Sequence, residues 1–218
     1  ELGAWINKRM TTERDSLPNF VSIGKGSAGT AGFFPGQWAA LPVKNTSAGI
    51  DFVKRNAAVD EGKFKKRLGI LDSLNGDFDQ DYGTKDTKAY VDTYKGSLKF
   101  MNSKDIDAFD LEKENEHIVS LYDRQEFSRS CMLAGRLVER GVRFVKVELG
   151  GWDYHDDLYG RLPSNASKLD KGLSSLLTHL SQKGLLDSTL VVVSTEFGRK
   201  PGVNPNKGRD HHTDGFTC

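Results

Sequence analysis

The chain has 218 residues, 37% hydrophobic, 28% charged and 10% aromatic, long enough to bury roughly 70% of its unfolded surface without disulfide staples. No apolar run approaches the ~20 residues of a membrane helix, since the longest aliphatic stretch is the strand-sized Thr189-Leu190-Val191-Val192-Val193, and the composition excludes a collagen-like or mainly disordered chain. With 31 Lys+Arg against 30 Asp+Glu and a net charge of +1, the basic excess of nucleic-acid binders is missing, so DNA and RNA are set aside as partners.

Residues 2–10 read as a short helix. The glycine-rich run at 24–32 lacks the Gly-Lys-Ser/Thr ending of a phosphate-cradling loop and reads as a turn. Phe33-Phe34-Pro35 and Trp38 are expected to anchor it to a core. Residues 61–75 place Phe64, Leu68, Leu71 and Leu74 at helix spacing, with Asn75-Gly76-Asp77 as the stop. Residues 84–101 repeat the pattern with Tyr90, Val91, Tyr94, Leu98 and Met101, read as core packing. A charged connector at 105–110 leads to a short helix at 111–121, whose Glu112-Lys113-Glu114 run and His117 face water. Residues 1–123 thus read as an irregular and helical part.

Residues 124–218 are more regular. An amphipathic helix at 124–140 carries Phe127, Cys131, Leu133, Ala134, Leu137 and Val138 and ends at Gly141. The alternating run 142–149 reads as a strand. Leu169, Leu173, Leu176, Leu177 and Leu180 mark a second helix closed by Gly184, with His179 in a structural role. Residues 189–195, apolar throughout, read as a central parallel strand. This strand–helix–strand order predicts a right-handed βαβ unit inside a single α/β domain spanning 1–218, with functional groups at the carboxyl ends of its strands. Cys131 reads as a buried small hydrophobe, and a disulfide to Cys218 stays open. The chain starts at Glu1 and stops at Phe216-Thr217-Cys218, just after a dense polar motif, as expected of a fragment or a processed product.

Three polar clusters fall where a parallel sheet would place a site: 150–157, Glu196-Phe197-Gly198-Arg199, and Gly208-Arg209-Asp210-His211-His212. Asp153 and His155 are two apart, so on extended chain both point to one side. Carboxylate plus imidazole is ligation chemistry for zinc, manganese or iron. Glu196 would emerge at the neighbouring strand end, and Asp210 and His211 could close the shell. Arg199 and Arg209 suit an anionic oxygen, and His212 suits either a ligand or an acid for a leaving group. The same residues equally suit a turn cap, a Glu196–Arg199 ion pair and a wet loop, so spacing leaves both readings open. No Ser-His-Asp arrangement is visible: Ser128 and Ser130 lie on a helix, Ser194 and Thr195 at a strand end. Trp152 and Tyr154 are the sole support for a polysaccharide-binding module.

Arg136-Leu137-Val138-Glu139-Arg140-Gly141-Val142-Arg143-Phe144-Val145, Gly151-Trp152-Asp153-Tyr154-His155, residues 184–193, Glu196-Phe197-Gly198-Arg199-Lys200-Pro201 and Gly208-Arg209-Asp210-His211 resemble the bacterial family known as domain of unknown function 1501. The likeness is strong over 124–215. It is looser in Leu2-Gly3-Ala4-Trp5, Leu17-Pro18 and Ala108-Phe109-Asp110-Leu111. That family is sulfatase-like and belongs to the alkaline phosphatase superfamily.

The resemblance implies an α/β/α sandwich around a largely parallel, alkaline-phosphatase-like sheet, with metals at the strand ends. It implies a divalent metal (zinc, manganese, calcium or magnesium) held by Asp153, His155, Glu196, Asp210 and His211, with Arg199, Arg209 and His212 facing substrate. Where the superfamily reads Asp-His-Gly, this chain reads Glu196-Phe197-Gly198. The superfamily's Ser, Thr or modified Cys nucleophile is not identified, as if the fragment begins after the strand that carries it. The implied activity is hydrolysis of sulfate or phosphate esters, with an anionic small molecule or glycan ester as substrate. The alternative is an inactive exported scaffold or binding protein that keeps the fold. Members frequently carry export signals, which implies a periplasmic or extracellular place.

Overall fold

Phe20-Val21-Ser22-Ile23, all buried, form strand β1 (Phe20–Ile23), the centre of a parallel sheet. Strand β2 (Leu41–Val43) pairs with it on one side and β3 (Phe144–Val147) on the other, in the order β2-β1-β3. Val21 lies opposite both Leu41 and Val145. The structure is a computed structural model that describes residues 1–11, 17–26, 29–47, 50 and 56–215, with the backbone alone at 85–86. The α/β class is therefore as expected, with helices around a three-stranded parallel sheet. Ser27, Ala28 and the 216–218 end, including Cys218, lie outside the described residues.

Two of the three strands come from the part expected to be irregular. Each is three or four residues long and too short to show a period. Their strand character comes from their neighbours: β1 is hydrogen-bonded on both edges and covered on both faces.

Residues 189–195 do not join the sheet. No strand is assigned there among the described residues, and Leu190, Val192 and Val193 are exposed. Apolar β-branched residues create a propensity, but a strand exists only where a second chain segment accepts its N–H groups. The βαβ unit predicted from β3 is thus not completed.

The helices are α1 (Leu2–Met10), α2 (Glu61–Tyr82), α3 (Lys85–Met101), α4 (Glu116–Leu121), α5 (Glu126–Glu139) and α6 (Leu158–Gln182). Helices α5 and α6, which pack on each other, end alike. Gly141 follows α5 with φ 91° and Gly184 follows α6 with φ 68°. In each case the next two N–H groups fold back onto the last turn: Gly141 to Val138 and Val142 to Leu137, Gly184 to Ser181 and Leu185 to Leu180. This is a Schellman motif, which a positive-φ glycine permits.

Helix α5 is buried along most of its length, from Ser128 to Leu137 apart from Arg129. It meets α6 where glycines bring the backbones close. A Cβ on Gly135 would stand 2.5 Å from His179 Nδ1, and one on Gly172 would stand 2.7 Å from the Phe127 ring. The core gathers Val21, Ile23, Val43, Leu133 and Leu137, with Phe100 and Phe109 packing edge to face. Cys131 is a buried free thiol whose pKa burial pushes up to about 12.

Five local expectations are corrected. Helix α2 runs through Asn75-Gly76 to Tyr82. Both residues cost helix propensity, but the chain finds its turn only at Gly83. Tyr90 is exposed, and among the described side chains of α3 only Phe100 is buried. The 105–110 connector is instead a 3-10 turn (Lys104–Phe109) with Ala108 and Phe109 in the core. The 111–121 helix is broken, because Asn115 accepts from the His117 N–H and starts α4 afresh. Phe33 is largely exposed, and Phe34 packs on Trp5 of α1 at the surface.

Candidate metal centre

The loop that leaves the carboxyl end of β3 carries Asp153 and His155, the position where parallel sheets place functional groups. It is tethered at several points. Trp152 donates its indole N–H to the Leu149 carbonyl (2.8 Å). Asn165 of α6 donates to the carbonyls of Gly150 and Gly151. Tyr154 is buried between Asp153 and His155, so both neighbours turn outward together. A polysaccharide-binding role for Trp152 and Tyr154 loses its basis, since Tyr154 is buried and Trp152 half-buried.

The second half of the site comes from a two-stranded antiparallel ribbon, β4 (Gly198–Arg199) with β5 (His211–His212), in which Arg199 lies opposite His211. The turn between them is built by Asn204. Its Oδ1 accepts from the Asn206 and Gly208 N–H groups, the self-bonding turn expected of Asn. Its amide donates to the His155 carbonyl (3.0 Å) and to Asp210 Oδ1 (3.1 Å). Gly208 allows the two loops to touch, since a Cβ there would stand 2.0 Å from the His155 carbonyl carbon. The Arg209 N–H then bonds the Tyr154 carbonyl (2.9 Å).

These tethers bring three donor atoms into one small triangle. His155 Nε2 lies 3.1 Å from Asp153 Oδ1, His211 Nε2 lies 3.0 Å from the same oxygen, and the two Nε2 atoms are 3.1 Å apart. Ligands of a tetrahedral zinc, about 2.0–2.1 Å from the metal, stand about 3.3 Å from one another. The triangle is close to one face of such a tetrahedron. Asp210 Oδ1 is 3.2 Å from His155 Nδ1, the carboxylate–histidine contact that orients a metal-bound imidazole. Phe197 packs its ring against His211, 4.8 Å between centroids.

The Asp153 carboxyl has its pKa lowered to about 2, first because Arg199 bonds it and next because His211 does. Asn204 and His155 lower Asp210 in the same direction. Arg199 Nη2 sits on Asp153 Oδ1 while Nη1 donates to the Arg209 carbonyl (3.0 Å).

Of the eight residues singled out from the sequence, Asp153, His155 and His211 form the triangle. Asp210 stands behind His155. Arg199 is bound to Asp153. Glu196 is exposed, and no described contact joins it to the triangle. His212 is half-buried on β5, and Arg209 has a buried Nε without a partner among the described residues. Asn204 and Asn165 were not foreseen. The Asn204-Pro205-Asn206-Lys207-Gly208 run does carry a turn signal that pointed to Asn204.

A family described as "Protein of unknown function (DUF1501)" matches residues 1–218. The chain belongs to this family. No curated protein and no solved structure matches it. In this family member, then, chemistry has to be argued from the triangle itself.

Proposed function

We propose that the Asp153–His155–His211 triangle is a divalent-metal centre of hydrolase type, acting on sulfate or phosphate esters in an exported, periplasmic or extracellular protein. One observation carries the reading: two imidazole nitrogens and one carboxylate oxygen lie within 3.1 Å of one another. If His155 donates Nδ1–H to Asp210, its Nε2 presents a lone pair to the Asp153 carboxylate and to His211 Nε2. A cation among the three atoms would satisfy all of them at once, a role that the Arg199 guanidinium fills in part for Asp153. Two imidazoles with one carboxylate suit zinc or another transition metal better than calcium or magnesium.

Asp153, His155 and His211 would hold the ion. Bound there, it would supply a Lewis acid for an ester oxygen and lower the pKa of a bound water. Asp210 fixes the His155 tautomer, and Asn204 fixes Asp210. All three triangle residues are exposed, which leaves the outer side open to an ester. A second reading, a scaffold that keeps the fold without the reaction, is favoured by Arg199, whose guanidinium already supplies a positive charge to Asp153.

The test is hydrolysis of chromogenic sulfate and phosphate esters by the zinc- or manganese-loaded protein beside Asp153→Ala. Turnover lost in the variant is the expected result. Stoichiometric metal with no turnover of either ester class overturns the hydrolase and leaves the scaffold.

A further inference from the structure

Helix α2 is 22 residues long, about 33 Å, and none of its residues is buried. One flank of it has an unusual order. Lys63, Arg67, Ile70, Leu74, Asp77 and Asp81 are spaced alternately four and three apart, the spacing of a coiled-coil seam. All six are exposed, Ile70 by 54% and Leu74 by 61%. The seam is basic at its start, apolar in the middle and acidic at its end. That order opposes the helix dipole, which favours acidic residues in the first turn and basic ones in the last. The last turn of α2 has no basic residue. Within one chain the arrangement is unfavourable, and Lys63 has only an exposed contact to Asp60 (3.3 Å).

Against a second copy running antiparallel, the same order becomes complementary. A two-fold axis beside residue 72 sets Ile70 against Leu74 of the second copy, and Leu74 against Ile70. The same operation sets Arg67 against Asp77 and Lys63 against Asp81, at both ends of the seam. The helix dipoles then also oppose. A parallel pairing would instead set each charge against its own kind, so the charges select one orientation.

We infer that this chain self-associates through α2, as a two-fold antiparallel helix pair centred on residue 72. Helix α3 contacts α2, so the pair of copies brings four helices together.

The test is sedimentation velocity of the whole 24.2 kDa chain across the micromolar range, at low and high salt. The wild-type protein should sediment at twice the monomer mass and weaken with salt. Lys63→Asp/Arg67→Asp makes the seam wholly acidic, and Asp77→Lys/Asp81→Lys makes it wholly basic. Each variant alone should be monomeric, and an equimolar mixture should restore a one-to-one dimer. All four side chains are exposed, and far-UV circular dichroism verifies that the helices persist. A monomeric wild-type protein, or variants that dimerise alone as the wild type does, would overturn the inference.

Discussion

His179 and the His155–His211 pair use the same side chain in opposite surroundings. His179 is fully buried between α5 and α6, with Nδ1 3.0 Å from the Tyr122 hydroxyl and Nε2 without a partner among the described residues. Near it lies a second buried polar pair. Arg136 Nη1 bonds Glu114 (2.8 Å), while Nε and Nη2 bond the carbonyls of Ala108 and Asp107. In that region every group secures one element to another: Arg136 pins the Lys104–Phe109 turn, and Tyr122–His179 pins the end of α4 to α6. Around Asp153 the groups are exposed, and their acceptors converge on one point. Burial and bonds that join one element to another mark the structural cluster. Exposure with converging ligand atoms marks the candidate site.

Breaking the buried side should cost most. Arg136→Ala leaves the Glu114 carboxylate, only 4% exposed, without its cation, and is expected to destabilise by about 3–5 kcal/mol, read as a lower urea midpoint. Gly135→Ala should cost about 1–3 kcal/mol by overpacking, since the new methyl meets the His179 ring.

The next effect is on pH. Burial lowers the His179 pKa from its ordinary value near 6.5, against the opposing pull of Glu114 and Glu139. The unfolded chain therefore takes up a proton before the folded one does. Stability from this group is complete above pH 6.5 and declines as pH falls towards the folded-state value, by at most about 1.4 kcal/mol per pH unit. His179→Gln should flatten that part of the stability curve; an unchanged slope would assign it to other groups.

The smallest effect should be on the exposed side. Asp153→Asn in metal-free protein should leave the urea midpoint nearly unchanged. A loss comparable to Arg136→Ala would move Asp153 from the site to the fold.

Much of this contrast was legible in the sequence. Helices α3 and α5 follow from apolar spacing to within two residues at each end, and the caps at Gly141 and Gly184 from glycine after an amphipathic run. Asp153 and His155 were legible as a pair because a two-residue step on extended chain has one outcome. Strands β1 and β2 were not, because three or four residues carry no period and depend on partners far along the chain. Residues 189–195 failed for the converse reason: their composition says strand, and no described segment pairs with them. Asn204 stayed hidden because its role is to join loops that sequence separates. The distinction between Asp210, behind His155, and His211, in the triangle, likewise depends on a ribbon register that no spacing reveals.

The central claim is that the triangle binds one divalent ion. Calorimetric titration of zinc into metal-free protein, beside the Asp153→Ala/His155→Ala variant, tests it most directly. The account predicts one equivalent bound by the wild-type chain and none at that site in the variant. It also predicts about 2.7 kcal/mol of added stability when free zinc exceeds the dissociation constant a hundredfold. Equal binding by both proteins, or by neither, would contradict it.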